Sequence, residues 1–71
     1  MRYVVVIEKA AHNYAAYVPD LPGCVATAPT VNECEELIRE AIEFHIQGML
    51  KDGLAIPEPS SILKEVEVSG R

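Results

Sequence analysis

The first 28 residues of the chain contain short β-branched or aromatic segments separated by turn-like sequences. Residues 2–9 (RYVVVIEK) have the composition of a strand covered on both faces. Residues 14–18 (YAAYV) follow a turn-like Ala-His-Asn sequence, which predicts an antiparallel hairpin. Residues 24–28 (CVATA) are short enough for an edge strand, which Pro29 would end. We therefore expect three strands before the helix, the first of them central in the sheet.

A long stretch after Thr30 carries the periodicity of an amphipathic helix. Apolar side chains recur there at steps of three and four residues, so one broad face is apolar. Thr30, with Glu33 three residues later, forms a capping box, and Gly53 follows the last periodic position. These signals predict a helix from about Val31 to Lys51 whose apolar face covers the sheet.

After the helix, the sequence has first the composition of an extended connection and then an alternation of apolar and polar residues. Residues 56–60 (IPEPS) form a connection held open by two prolines. Residues 62–68 (ILKEVEV) alternate well enough to predict a fourth strand, and a strand after a helical crossover pairs parallel with the first. We therefore expect a single α+β domain over residues 1–71, in the order βββαβ, with one long helix on a mixed sheet.

Composition and charge narrow the possible functions. A chain of 71 residues, 49% of them hydrophobic, is one globular domain of marginal stability, so we expect a homo-oligomer, a dimer or a tetramer. The net charge of −5 favours basic partners and disfavours direct nucleic-acid binding, because phosphate contacts need a surplus of Lys and Arg. No signal peptide or apolar segment of membrane length is recognisable, so we expect a cytoplasmic protein without membrane contact. In that compartment disulfides are rare, so we expect Cys24 and Cys34 to be free, buried thiols.

Two motifs on either side of the predicted helix resemble the HicB antitoxin family, the partners of HicA ribonuclease toxins. They are Tyr-Val-Pro-Asp-Leu-Pro-Gly-Cys at 17–24 and Asp-Gly-Leu-Ala-Ile-Pro-Glu-Pro-Ser at 52–60. The resemblance covers nearly the whole chain. It implies a partly degraded ribonuclease-H-like fold that binds and blocks a small basic toxin. Many family members continue into a DNA-binding module, whereas this sequence stops at Arg71, so the resemblance leaves autoregulation through DNA open.

Two candidate partner-binding surfaces follow. In the first, the prolines and Gly23 make a rigid turn that packs Leu21 inward or displays it to a partner, although such turns are also common as plain connections. The second is a stripe of glutamates on the outer helix face, by default solvated, which would attract a basic toxin. The expected partner-binding residues are Asp20, Leu21, Pro22, Gly23, Cys24, Glu33, Glu36, Glu40 and Glu43.

The residues do not indicate catalysis. A nuclease with a ribonuclease-H-like fold needs several carboxylates around two metal ions. One of these carboxylates typically stands in the middle of the first strand, where this chain has Val-Val-Val. The cysteines and histidines lack the paired spacings of zinc ligands. We therefore expect no enzymatic activity, metal or cofactor. A metal-dependent nuclease and a self-associating domain without a toxin remain the alternatives.

Overall fold

Three strands precede one long helix in the computed structural model, which describes residues 1–70. The strands are β1 (Val6–Lys9), β2 (Tyr14–Tyr17) and β3 (Val25–Ala28), and the helix α1 (Val31–Lys51) has 21 residues. Both neighbouring strand pairs are antiparallel. The molecule is therefore a small α+β domain, as predicted.

The central strand is β2, so the prediction that the first strand is central was wrong. The sheet order is β1-β2-β3, with Val6 of β1 opposite Tyr17 and Ala28 of β3 opposite Tyr14. A β-branched composition indicates side chains that are covered on the faces of a sheet. It does not report how many strands pair along the edges, and β1 lies at one edge.

Residues 62–68 form no strand, so the predicted fourth strand and mixed sheet were wrong: the sheet formed within residues 1–70 is purely antiparallel. The alternation gives this segment strand propensity, but a strand also needs a neighbour that satisfies its backbone hydrogen bonds. Within the described residues no neighbour does so. Three strands and a helix do not by themselves establish the ribonuclease-H-like resemblance.

The helix α1 begins and ends at the predicted residues because both of its caps form. The hydroxyl of Thr30 accepts a hydrogen bond of 3.1 Å from the backbone N–H of Glu33. At the other end Gly53 adopts a φ of +72°, and the N–H of Leu54 donates to the carbonyl of Met49 at 2.9 Å. This is the Schellman arrangement, in which a glycine takes the left-handed conformation that ends the helix.

The core lies between the inner face of α1 and the sheet. Seven buried apolar side chains form one cluster: Ala16, Val18, Leu21, Cys24, Ala28, Cys34 and Ile38. Both cysteines are free and buried, as predicted. Because the cluster is small, each of its larger side chains supplies a substantial part of the stability of the domain.

Candidate protein-binding surface

The turn between β2 and β3 is held by its own backbone. The N–H of Leu21 donates to the carbonyl of Val18 at 3.1 Å, and the N–H of Cys24 donates to the carbonyl of Leu21 at 3.1 Å. The N–H of Val18 closes the turn by donating to the carbonyl of Cys24 at 3.3 Å. Gly23 has a φ of +86°, a conformation that other residues rarely adopt. The rigidity predicted for this turn therefore has a defined hydrogen-bond basis.

The side chain of Leu21 packs inward, which decides between the two alternatives that the sequence left open. Leu21 is 0% exposed and Cys24 is 4% exposed, and both belong to the core cluster. The prediction that Leu21 and Cys24 contact a partner directly does not fit this burial, because the tight turn directs both side chains into the core. The exposed residues of the turn are Pro19 and, at its tip, Pro22 and Gly23.

Asp20 connects this turn to the segment after the helix. Its carboxylate accepts hydrogen bonds from the backbone N–H groups of Ser60 and Ser61 at 3.1 and 3.0 Å. It also accepts from their hydroxyl groups at 3.1 and 2.9 Å. A further bond runs from the hydroxyl of Tyr3 to the carbonyl of Pro57 at 2.6 Å. The two sequence motifs that carry the family resemblance are therefore joined in space by one carboxylate.

The ionised form of Asp20 is stabilised by these bonds. The N–H of Ser61 is the largest influence that lowers the pKa of the Asp20 carboxyl, and the N–H of Ser60 and both hydroxyl groups act in the same direction against partial desolvation. Partial desolvation raises the pKa of the Tyr3 phenol, helped by the carboxylates of Glu58 and Asp20. Burial raises the pKa of the Cys24 thiol, so that cysteine is held in its less reactive form.

The outer face of α1 is exposed and strongly acidic. Residues 30–52 contain six acidic and two basic side chains and therefore hold −4 of the chain's net charge of −5. Arg39 lies 3.4 Å from the carboxylate of Glu35 and 3.6 Å from that of Glu36, so part of this charge is paired. We call the exposed glutamates the acidic face; they are Glu33, Glu36, Glu40 and Glu43.

One apolar side chain on this surface was not singled out from the sequence. Phe44 is 80% exposed, and Leu37 on the same side of the helix is 43% exposed. Phe44 follows Glu40 by four residues and Leu37 by seven, spacings that place these side chains on one face of a helix. That spacing, together with the fact that this is the only phenylalanine in the chain, was the available signal.

A shallow groove of about 430 Å³ lies where the acidic face meets β3. It is lined by Thr27, Ala28, Pro29, Asn32, Glu33, Glu36 and Leu37. The groove combines apolar walls with two carboxylates of the acidic face. Such a combination suits a basic side chain that has an apolar stem.

Neither a metal-binding cluster nor a membrane-spanning helix is present within residues 1–70. No three His, Cys, Asp or Glu side chains lie together in an arrangement that could hold a metal ion. No helix in this part of the chain is long and apolar enough to cross a membrane.

The fold and its surface define a small α+β domain with a proline-rich turn around a buried leucine and with an acidic helix face, and comparison with known families assigns it. The family model described as HicB_like antitoxin of bacterial toxin-antitoxin system matches residues 3–69. The chain belongs to this antitoxin family, so the resemblance inferred from the two motifs is confirmed.

Relatives of different length share this domain. An uncharacterized 14.9 kDa protein in the rep-hol intergenic region of Haemophilus phage HP1 is 42% identical over 62 residues, which are 87% of this chain and 47% of the phage protein. A UPF0150 protein of Helicobacter pylori is 35% identical over 65 residues, 90% of each chain. The chain therefore spans about half the length of the phage relative and nearly all of the Helicobacter protein.

A solved structure shares the fold. A chain of the HicA3 and HicB3 toxin-antitoxin complex superposes with a TM-score of 0.71 at 27% identity, covering 83% of this chain and 70% of that one. The match agrees with the family assignment.

Proposed function

We propose that this protein is an antitoxin that neutralises a small basic HicA-type ribonuclease toxin by direct protein–protein contact. Membership of the HicB-like antitoxin family supports this function. The likeness to a chain of a toxin-antitoxin complex supports a partner of the HicA type. The observation in this structure that carries the proposal is the exposed Phe44 within the acidic face.

The acidic face supplies long-range attraction. A basic RNA-binding protein carries cationic side chains where RNA phosphates would lie, and exposed carboxylates compete for the same surface. Charges of this kind steer the encounter and raise the association rate, an effect that salt weakens. Glu33, Glu40 and Glu43 form none of the ion pairs found within residues 1–70, so they are free to act in this way.

Phe44 supplies the apolar anchor. Binding energy is concentrated in a few aromatic or Arg side chains surrounded by polar residues that exclude water. An aromatic ring that is 80% exposed and follows Glu40 and Glu43 has this arrangement before any partner is bound. Leu37 and the adjacent groove extend the apolar area towards β3. This proposal replaces Leu21, which is fully buried, with Phe44 as the anchor.

The turn plays a secondary part in this proposal. Its exposed tip, Pro22 and Gly23, forms a second contact region in the proposal. Asp20 acts by positioning, since its carboxylate is already used by Ser60 and Ser61. Leu21 and Cys24 contribute through the stability of the core.

Four further properties belong to the same proposal. We infer that the protein is not an enzyme, in keeping with an antitoxin that acts by binding. We infer that it binds no nucleic acid directly, because its net charge is −5. Self-association is expected because the core is small, and a cytoplasmic location because the RNA that such a toxin cleaves lies there.

Co-expression with a small basic toxin of the HicA type tests the proposal. We expect the two chains to copurify and the toxin's cleavage of RNA to be lost in the complex. Failure of a HicA-type toxin to copurify, with its RNA cleavage unchanged by an excess of this protein, would contradict the proposed function. Magnesium-dependent cleavage of RNA by the purified chain alone would instead favour the nuclease alternative.

A further inference from the structure

The outer edge of β3, which we call the open edge, presents unpaired backbone groups. The sheet order places β3 at one end, and no other strand in the described part of the chain pairs with that side. The N–H of Val18 donates to the carbonyl of Cys24 at 3.3 Å. In an antiparallel pair, successive residues turn their backbone groups alternately towards the neighbouring strand and away from it. The backbone groups of Ala26 therefore point to β2, whereas those of Val25 and Thr27 point outward.

The open edge lacks the features that commonly prevent strand addition. Exposed edges are usually blocked by charged side chains, by proline or by a covering segment. The four residues of β3 are Val-Ala-Thr-Ala, which include neither a charged residue nor a proline. Val25 is 65% exposed. An extended segment of another chain can therefore reach this edge.

The groove at the junction of β3 and α1 borders the open edge on the helix side. Thr27 and Ala28 contribute to its wall on one side, and Glu33 and Leu37 on the other. Ala28 belongs to the core cluster, so its side chain points to the helix side of the sheet. Neighbours on adjacent strands direct their side chains to the same face. A residue opposite Ala28 on an added strand would therefore direct its side chain towards the groove.

The two faces of the sheet at the open edge call for different side chains. On the helix side, Glu36 lies 3.6 Å from Arg39, whereas Glu33 forms none of the ion pairs found within residues 1–70. On the opposite side, Tyr17 and Val25 are paired in register and are 41% and 65% exposed. The complementary strand is therefore basic on one side and apolar on the other.

We infer that the toxin binds by adding one of its strands to the open edge, with a basic side chain of that strand in the groove. The backbone groups of Val25 and Thr27 form the hydrogen bonds of the added strand, as in other complexes formed by strand addition. The apolar stem of the Lys or Arg packs on Leu37, and its charged end reaches Glu33. This inference rests on the proposed function and adds the mode of binding to it.

A basic toxin fits the open edge better than a second copy of this chain does. Pairing of β3 with β3 of another copy would bring only Val-Ala-Thr-Ala to the edge. That segment has no cation to place beside the carboxylates of the groove. A strand of a basic toxin can supply both the backbone groups and the positive charge.

Thr27→Pro tests the backbone part of the inference. Because the N–H of Thr27 points away from β2, proline removes no bond between β2 and β3, and it is tolerated at such edge positions. We expect the dissociation constant for a HicA-type toxin to rise by about tenfold or more, since one bond is lost and the ring obstructs the added strand. The control Thr27→Ala keeps the N–H and should change the constant by no more than about threefold. Equal affinities of the two folded variants would overturn the inference.

Glu33→Gln tests the groove. The variant keeps the shape of the side chain but removes the charge that would meet the basic side chain, so we expect about tenfold weaker toxin binding. The control Glu43→Gln makes the same change on the acidic face outside the groove and should have an effect of no more than about threefold. Equal effects of the two variants would contradict the placement of a cation in the groove.

Hydrogen exchange of the unmodified chain decides the question if Thr27→Pro does not fold. The amides of Val25 and Thr27 should exchange at least about tenfold more slowly in the toxin complex than in the free protein. The amide of His12, in the exposed turn between β1 and β2, is the control and should exchange at the same rate in both. Unchanged exchange at Val25 and Thr27 in the complex would contradict strand addition.

The outcomes separate this inference from the proposed function. Toxin that binds tightly without affecting the open edge would overturn the inference and leave the proposed function standing. An unmodified chain that binds no HicA-type toxin would overturn both. If Thr27→Pro instead splits the free protein into smaller assemblies and leaves toxin affinity unchanged, a second copy occupies the edge and the inference is wrong.

Discussion

The turn Val18–Cys24 and the outer face of α1 lie at opposite extremes of burial within one small domain. Leu21 at the centre of the turn is 0% exposed, whereas Phe44 on the helix is 80% exposed. The polar groups differ in the same way, since Asp20 accepts four hydrogen bonds from Ser60 and Ser61. The glutamates of the acidic face are open to solvent.

This difference separates stability from recognition. A side chain that is fully buried contributes to folding and has no surface left for a partner. A large apolar side chain that is almost fully exposed contributes little to folding, so its energetic value arises when another molecule covers it. Substitutions in the two regions should therefore affect different measurements, and the following experiments test that separation from the largest effect to the smallest.

Leu21→Ala should cause the largest loss, because it leaves a cavity in a core of seven side chains. The expected cost is about 2–5 kcal/mol in the free energy of unfolding, measured by urea denaturation. Leu50→Ala, at an exposed position of α1, is the control and should change stability by no more than about 0.5 kcal/mol. If Leu21→Ala does not fold, Leu21→Val should still cost about 1 kcal/mol. A loss below that of the Leu50 control would mean that the turn does not support the core.

Phe44→Ala should weaken toxin binding while leaving the fold intact. We expect the dissociation constant to rise by about 30-fold or more, mainly through faster dissociation, as for other buried aromatic anchors. Thermal stability should stay within the range of other surface substitutions. Gln47→Ala, on the same exposed side of α1, is the control for binding and should have little effect. Unchanged affinity in Phe44→Ala would remove Phe44 from the proposed interface.

Reversal of charge on the acidic face should act on the association rate. Glu36→Lys/Glu40→Lys should slow association by about tenfold at low ionic strength and flatten its dependence on salt, because steering is lost. The control Glu65→Lys/Glu67→Lys makes the same change in net charge within residues 62–68, away from the acidic face. Equal effects of the two double variants would show that only net charge matters, and no effect would show that the acidic face is merely solvated.

Acid should release Ser60 and Ser61 from the carboxylate of Asp20. Of the four changes, this one should affect the stability of the domain as a whole the least. The pKa of Asp20 is lowered in the folded protein, so its contribution is present above the ordinary value of 3.8 and is lost as the pH falls through the lower folded value. We expect the amide signals of Ser60 and Ser61 to report this loss below about pH 4. In Asp20→Asn these amides should be less protected at neutral pH and should lack the acid transition, whereas Asp52→Asn should behave like the unmodified protein. An identical transition in Asp20→Asn would assign it to another group.

The limits of α1 and the family were accessible from the sequence because they depend on local signals. The cap formed by Thr30 with Glu33 involves residues three apart, and the left-handed Gly53 ends the helix within one turn. The two proline-rich motifs are contiguous, so they could be recognised without knowledge of the fold. The burial of Cys34 followed from its position on the apolar face of the predicted helix.

The order of the strands, the direction of the Leu21 side chain and the conformation of residues 62–68 were decided only by tertiary structure. The pairing of β2 along both of its edges depends on residues that two turns bring together. The hydrogen bonds that Asp20 accepts come from Ser60 and Ser61, which are 40 and 41 positions away in the sequence. The same turn sequence would fit an inward or an outward Leu21, because the prolines fix the backbone and leave the location of the core open. The alternation in residues 62–68 gave strand propensity, but a strand forms only where a neighbouring edge accepts its hydrogen bonds, and such an edge is a property of the tertiary structure.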